Sequence, residues 1–424
     1  MLLLLICLVF AGLRSVQFLR TYPTHTRLAS GQRIFETRWV GTMANIAVPL
    51  KSDDQDHPDK RIDHENARQF GNTPVSCADC HGQRVLGTAG HAETNLIAYQ
   101  VLPQQPMPPV NEGTVHYLAS VSSFFAEFAE VKKSFQNRAA RGAISHQRRL
   151  SFDNFCSIEL FELNPPPLFG LGQIDQIADW AILSNGVKRT VPTILKNLRG
   201  KYQEQRIGRI RGAPGSRVGK FGCKGQSASL KDYLKTACAV EIGLFKILQL
   251  EDIPKMHRAD TLPALHWQGN QLRDLDIFVR NLPRPRQRLP SNENARRTVT
   301  LGSQLFADIG CAACHTPNLG GVRGIYTDFR LYDFRPYEQR QNKAYKLMSP
   351  TEPRPYEWQT PPLWGVADSA PYMHDGRAQT LQEAIQFHLG DGEMSRTAYA
   401  QLPPEGQKAI IAFLKTLQAP LESG

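Results

Sequence analysis

Four of the eight cysteines stand in two copies of one five-residue pattern, Cys77-Ala-Asp-Cys80-His81 and Cys311-Ala-Ala-Cys314-His315. In a chain of 424 residues with eight cysteines and twelve histidines, chance supplies that pattern about 0.004 times, so two copies are not accidental. Three chemistries compete for it. Two cysteines spaced by two residues make half of a zinc site, but no second pair follows either motif at short range. A thioredoxin-like redox pair asks for a βαβ setting, which helical flanks do not supply. In the third chemistry, the two thiols add to the vinyl groups of a haem and the adjacent histidine takes the iron from its proximal side. The spacing favours this last reading: two covalently attached haem c groups, bound by Cys77, Cys80, His81, Cys311, Cys314 and His315. Covalent haem attachment takes place outside the cytoplasm, so an exported, periplasmic protein is expected.

The elements that must hold these motifs repeat along the chain. Ser30-Gly31-Gln32-Arg33-Ile34-Phe35 parallels Leu301-Gly302-Ser303-Gln304-Leu305-Phe306, each an amphipathic helix start upstream of its motif. Downstream, the stretch from Leu272 through Phe278 to Leu282 parallels that from Lys408 through Phe413 to Leu417, with apolar residues three and four apart as on a helix. Between the two units lies Leu282-Pro-Arg-Pro-Arg-Gln-Arg-Leu-Pro290, whose three prolines interrupt both helix and sheet, so a linker is expected there. The expected fold is mainly α: two cytochrome c-like haem domains, 21–290 and 291–424, joined by that Pro/Arg-rich linker. Long ordered loops with few strands are expected over roughly 140–230, and a second long loop that covers something over Arg323–Pro362.

The first residues, MLLLLICLVFAGL, form an apolar run followed by Arg14 and Arg20, and residues 1–20 read as a signal peptide. A basic stretch before the run and a small-x-small cleavage site are both missing, which keeps a buried N-terminal helix or a misplaced start as alternatives. Fifty Lys and Arg against 39 Asp and Glu give a net charge of +11. Charge alone suits nucleic acid, an anionic surface or an acidic protein partner. With 41% hydrophobic and 21% charged residues, collagen-like, disordered and multi-spanning membrane classes are excluded. Cys156, Cys223 and Cys238 are left over, an odd number that allows at most one disulfide among them.

The C-terminal unit reads Thr360-Pro-Pro-Leu-Trp-Gly365-Val, then Ala370-Pro-Tyr-Met-His374-Asp-Gly-Arg377, then Thr380-Leu-Gln-Glu-Ala384. With Pro165-Pro-Pro-Leu-Phe-Gly170 and Lys220-Phe-Gly-Cys-Lys-Gly225, it resembles the bacterial di-haem cytochrome c peroxidase and MauG superfamily, most of all its di-haem oxidoreductase branch. The resemblance implies a distal ligand of the C-terminal haem fourteen residues after His374, which is His388, with Met394 as the alternative. It also implies a catalytic glutamate beside the N-terminal haem, which nominates Glu241 in a segment whose spacing is two residues shorter than in the peroxidases. An apolar setting (Ala239, Val240, Ile242, Leu244) would favour the neutral carboxyl there, as a proton donor requires. His91 and His116 are the candidates for closing the N-terminal iron.

Where the superfamily commonly carries a tryptophan between its haems, this chain has Cys223, so the resemblance implies slower inter-haem transfer or transfer by direct proximity. Calcium on backbone oxygens near Ser369 and Pro371 is a further implied feature, though no carboxylate cluster demands it. The function so implied is reduction of hydrogen peroxide with electrons from a small periplasmic cytochrome c or cupredoxin. Nucleic acid and an integral membrane domain are not expected, and a homodimer is admissible. The alternatives are MauG-like oxidation of a partner protein and a non-enzymatic di-haem electron carrier.

Overall fold

The computed structural model describes residues 25–37, 39–40, 48–49, 76–82, 86–90, 96–103, 112–114, 148–151, 156–185, 208–213, 217–242, 244–245, 265–266, 270–335 and 357–421. Ten α-helices are described: α1 (His25–Glu36), α2 (Cys77–His81), α3 (Leu171–Asp175), α4 (Asp179–Asn185), α5 (Leu230–Ile242), α6 (Gln271–Arg280), α7 (Glu293–Asp308), α8 (Leu381–Gln386), α9 (Glu393–Gln401) and α10 (Pro404–Leu414). Among the described residues helix outweighs strand, and no helix there is long and apolar enough to cross a membrane.

Two helix pairs frame the two motifs, and they are built alike. Helix α1 crosses α6, and α7 crosses α10. At each crossing a glycine lets the backbones touch: a Cβ on Gly31 would lie 2.1 Å from the Asp274 carbonyl oxygen, and one on Gly302 would lie 1.9 Å from that of Ala409. One turn further on, Phe35 meets Phe278 with ring centres 5.3 Å apart and planes at 58°, and Phe306 meets Phe413 at 5.5 Å and 59°. The two crossings therefore repeat the same glycine approach and the same phenylalanine contact, as the parallel between Gly31/Phe35 and Gly302/Phe306 predicts. Helix α7 starts where Asn292 accepts a hydrogen bond from Ala295 N, buries Val299, Gly302 and Phe306 at helical spacing, and gives way at Gly310, whose φ is 90°. A Gly302→Ala substitution should cost about 1–3 kcal/mol or more, because the added methyl displaces backbone rather than a mobile side chain. Chemical denaturation of the variant checks this.

Three expectations need correction. The stretch expected to hold few strands contributes two of the four in an antiparallel sheet: β1 (Leu96–Pro103), β2 (Glu112–Thr114), β3 (Arg148–Ser151) and β4 (Cys156–Leu163), in the order β2-β1-β4-β3, with Tyr99 opposite Leu160. The Gly, Pro and basic composition of 140–230 hid the short strand-forming run Cys156-Ser-Ile-Glu-Leu-Phe-Glu-Leu163 inside it. The segment from Arg323 is likewise more than a covering loop. Its residues 331–333 (β5) pair antiparallel with 357–359 (β6), and Thr327, Asp328 and Arg330 are buried.

The linker, thirdly, is pinned. Arg286 and Gln287 pair with Gln418 and Leu417, and Arg288 N donates to the Thr416 carbonyl at 2.8 Å. One buried cluster also spans residues on both sides of it, with Leu319, Ile325, Phe329 and Trp364 packed among Ile174, Ile182, Leu230 and Phe278. A second cluster around Val299, Phe306, Tyr399, Ile410 and Phe413 belongs to the C-terminal unit alone.

Candidate haem sites

The first motif forms helix α2 because its second residue pair includes an acid. Ser76 Oγ accepts from Asp79 N at 3.1 Å and Ser76 N donates back to the Asp79 carboxylate at 3.0 Å, a reciprocal cap. The second motif has alanine at the matching position, Ala313, and opens instead from Gly310 into a single 3-10 turn, with His315 N donating to the Cys311 carbonyl at 3.0 Å. Either route places both sulfurs and the histidine on one short arc.

Each histidine then meets the same kind of cradle. His81 Nδ1 donates to the Thr88 carbonyl at 3.3 Å, and His315 Nδ1 to the Tyr326 carbonyl at 3.1 Å. A second carbonyl comes from a proline in each case, Pro166 for His81 and Pro361 for His315. The cradles match further: Leu168 N donates to Gly87 O, the residue before Thr88, and Leu363 N donates to Ile325 O, the residue before Tyr326. Gly170 and Gly365, two residues beyond those leucines, both adopt positive φ, 67° and 77°, and start the next helical turn. So Pro-Pro-Leu-Phe-Gly170 and Pro-Pro-Leu-Trp-Gly365 are one structural device used twice. That internal repeat was visible in the sequence and would have identified the two proline carbonyls. Fixing Nδ1 as the donor leaves Nε2 with its lone pair, the state a metal ligand needs.

His388 stands across from His315, with ring centres 6.4 Å apart and planes at 56°. Two imidazoles bound to opposite sides of one metal at about 2.0–2.1 Å, each ring centre about 1.1 Å beyond its nitrogen, lie about 6.2–6.4 Å apart. The observed separation fits an iron between them. The Nδ1 of His388 is also committed, to the Ala384 carbonyl at 2.7 Å. His388 lies just beyond α8, which ends at Gln386, and the turn that returns His388 N to Ile385 O aims the ring. Around the pair, Cys311, Tyr326, Leu363, Val366, Tyr372 and Ile385 present partly buried apolar surface, a lining suited to a porphyrin. Met394 is buried in the same cluster on α9. At the other cradle the Thr88 hydroxyl is buried and has no hydrogen-bond partner among the described residues, an unmet polar group beside the His81 acceptor.

Burial governs the electrostatics. It lowers the pKa of His81 to about 4, and burial together with the neighbouring His388 lowers that of His315 to about 4. Burial also raises the Cys311 thiol to about 12, helped by Cys314, and lowers His388. A histidine whose folded pKa lies below its unfolded value near 6.5 binds fewer protons when folded. The stability it supports is therefore present above pH 6.5 and is lost as pH falls from 6.5 towards 4. For the haem-free chain the loss from His81 alone is on the order of 3 kcal/mol. Urea titrations of the haem-free protein from pH 7 to pH 4 should show that decline.

The remaining candidates are placed as follows. Glu241 lies in the last turn of α5, three residues after Cys238 on the stripe Leu230, Leu234, Cys238 that faces the core; its carboxylate, like His91, His116 and residues 1–20, lies outside the described residues. Helix α5 starts at a Ser229–Asp232 cap, and Tyr233 stacks on Phe221 with centres 6.0 Å apart. Cys223 is partly buried and its carbonyl accepts from Gln359 N at 2.9 Å. Sequence reasoning missed Trp358, which the β5–β6 pairing brings beside Cys223 and Lys224. Among the described residues, no three His, Cys, Asp or Glu side chains gather in a further metal cluster.

Two like-built histidine cradles, one of them faced by a second histidine, are the arrangement that a pair of haem groups would require. Consistently, residues 351–417 match the family described as "Di-haem oxidoreductase, putative peroxidase". The chain is 32% identical over 120 residues to cytochrome c551 peroxidase of Pseudomonas aeruginosa, which covers 27% of this chain and 32% of that protein. It is 27% identical over 116 residues to the methylamine utilization protein MauG of Methylorubrum extorquens, covering 26% and 31%. Among solved structures, a MauG-like protein associated with microbial copper homeostasis aligns with 59% of this chain and 89% of its own at 17% identity and a TM-score of 0.31. The chain spans about a third of the length of the curated relatives it matches.

Proposed function

We propose that the protein is an exported di-haem c-type oxidoreductase that reduces hydrogen peroxide with electrons from a small redox protein. The observation that carries this reading is the opposed pair His315 and His388 at 6.4 Å, set in a cradle that the His81 motif repeats. Cys77 and Cys80 would anchor one haem and Cys311 and Cys314 the other, with domains at 21–290 and 291–424. When bound, the two haems would supply electron storage and peroxide activation.

The chain's own residues do the rest. The Thr88 and Tyr326 carbonyls hold the proximal imidazoles in one tautomer and orientation. His388, facing His315 at 6.4 Å between ring centres, would be the second residue to hold the C-terminal haem, and a group held from both sides would suit electron uptake and transfer rather than substrate binding. Glu241 takes a proton from peroxide and returns it to the departing oxygen. Calcium, the further group that the resemblance implies, would use backbone oxygens near Ser369 and Pro371.

The test is stopped-flow mixing of the purified holoprotein, one haem reduced, with hydrogen peroxide. Rapid oxidation with water as product supports the reading. A protein that carries two haems yet leaves peroxide untouched overturns it in favour of the electron carrier or of an oxidoreductase with another substrate. The haem load itself is checked by intact mass, which should exceed that of the polypeptide by two haem units that survive acid–acetone extraction.

A further inference from the structure

Helix α9 carries two buried hydrogen-bond donors that nothing in its surroundings answers. The Tyr399 hydroxyl and the Arg396 Nε–H are both buried, and neither meets a partner among the described residues. Tyr399 is 3% exposed, and burial raises its phenol pKa, so the hydroxyl keeps its proton and can donate it. Arg396 is already tied at Nη2, which donates to Glu393 Oε1 at 2.7 Å, while its Nε–H is unspent. Buried polar side-chain atoms nearly always find a partner, and these two exceptions, three residues apart on a helix, lie on one face of it.

The helix stands against the candidate haem site of the C-terminal unit. It is preceded by Gly392, where a Cβ would lie 2.9 Å from the Cβ of His388, so α9 begins against the second histidine. Tyr399 shares its buried cluster with Met394 and Phe306, and Cys311 packs against that cluster. The ring of Phe306 in turn stands 6.3 Å from that of His315. A phenol and a guanidinium on one helix face ask for an acceptor that carries negative charge. Haem c keeps two propionate carboxylates after its vinyl groups have gone to the cysteines. A carboxylate entering an apolar cluster stays ionised only against donors of this kind.

We infer that Tyr399 and Arg396 are the anchors of a propionate carboxylate of the C-terminal haem, Tyr399 through its hydroxyl and Arg396 through Nε. The inference rests on the di-haem reading above but not on peroxide as the substrate. Donors bound to the carboxylate take up part of its negative charge. Less negative charge near the iron favours the ferrous state, so both residues raise the reduction potential of this haem while leaving the other alone.

The experiment is spectropotentiometric titration of the holoprotein, combined with resonance Raman spectra of the propionate bending bands. His388→Ala identifies the C-terminal haem as the one whose midpoint moves. Tyr399→Phe, which keeps the ring and loses only the hydroxyl, should lower that midpoint, shift one propionate bending band and leave the other haem unchanged. Arg396→Met should lower the midpoint further, because a positive charge leaves with the donor. The band shift separates a lost hydrogen bond from the longer-range effect of leaving Glu393 unpaired. Midpoints and bands unchanged in both variants would overturn the anchor and hand the two donors to buried water. A midpoint that rises, or an equal shift of both haems, would overturn it as well, the latter because it reports loosened packing. Should one variant fail to take up haem, the other decides. Failure of the di-haem reading shows itself separately, as an unsubstituted protein whose Cys311 and Cys314 carry no haem by peptide mass.

Discussion

Glu241→Gln is expected to lower peroxide turnover by about 10²–10⁴-fold, the range typical of a lost general acid–base group. The substitution keeps the side chain's shape and hydrogen-bonding capacity but cannot deliver the proton that the departing oxygen needs. Glu241 falls in the last turn of α5. A carboxyl in an apolar setting has its neutral form favoured, which readies it to donate. The ferric optical spectrum and the rate of electron uptake should remain those of the unsubstituted protein, because neither cradle includes Glu241. Steady-state peroxide assays and reductive titration together read this. Equal turnover in both proteins would remove Glu241 from the reaction while leaving the di-haem assignment in place.

Replacing His388 with alanine is expected to convert one of two ferric haem signals completely from low to high spin. The argument is geometric. At 6.4 Å between ring centres, His388 and His315 are spaced as two imidazoles on one iron, and removing one leaves an open axial position. The unsubstituted C-terminal haem should also have a lower reduction potential than a His/Met haem, because imidazole replaces a soft thioether that favours the ferrous state. EPR and potentiometric titration of both proteins measure the two effects. An unchanged low-spin signal would return the ligand role to Met394, which is buried on α9 in the same cluster.

The local chemistry was legible in the sequence because it depends on neighbours along the chain. Both CxxCH motifs, the glycine and phenylalanine of each helix crossing, and the breaks at Pro283–Pro290 follow from short-range spacing and conformational preference. The Gly31/Phe35 and Gly302/Phe306 parallel is read directly from the repeated sequence, and the structure adds the reason for the glycines, carbonyls at 2.1 and 1.9 Å from where a Cβ would stand. The four-stranded sheet was not legible. Its pairings join residues as far apart as Leu96 and Leu163, and the short strand-forming run Cys156–Leu163 is masked by the Gly, Pro and basic composition around it until its partner is known.

The same distinction runs through the site. The resemblance singled out His388, and the turn after α8 is what brings its ring to face His315. Trp358 was passed over altogether, because nothing in Glu357-Trp-Gln359 indicates that a part-buried Arg209–Glu357 pair and two carbonyl acceptors for Gln359 will hold the indole against His374. Residues close in sequence announce what they can bind. Which aromatic rings meet, and which carbonyl holds which imidazole, is settled by long-range packing and hydrogen bonding, and those contacts exist only once the two units have closed on one another.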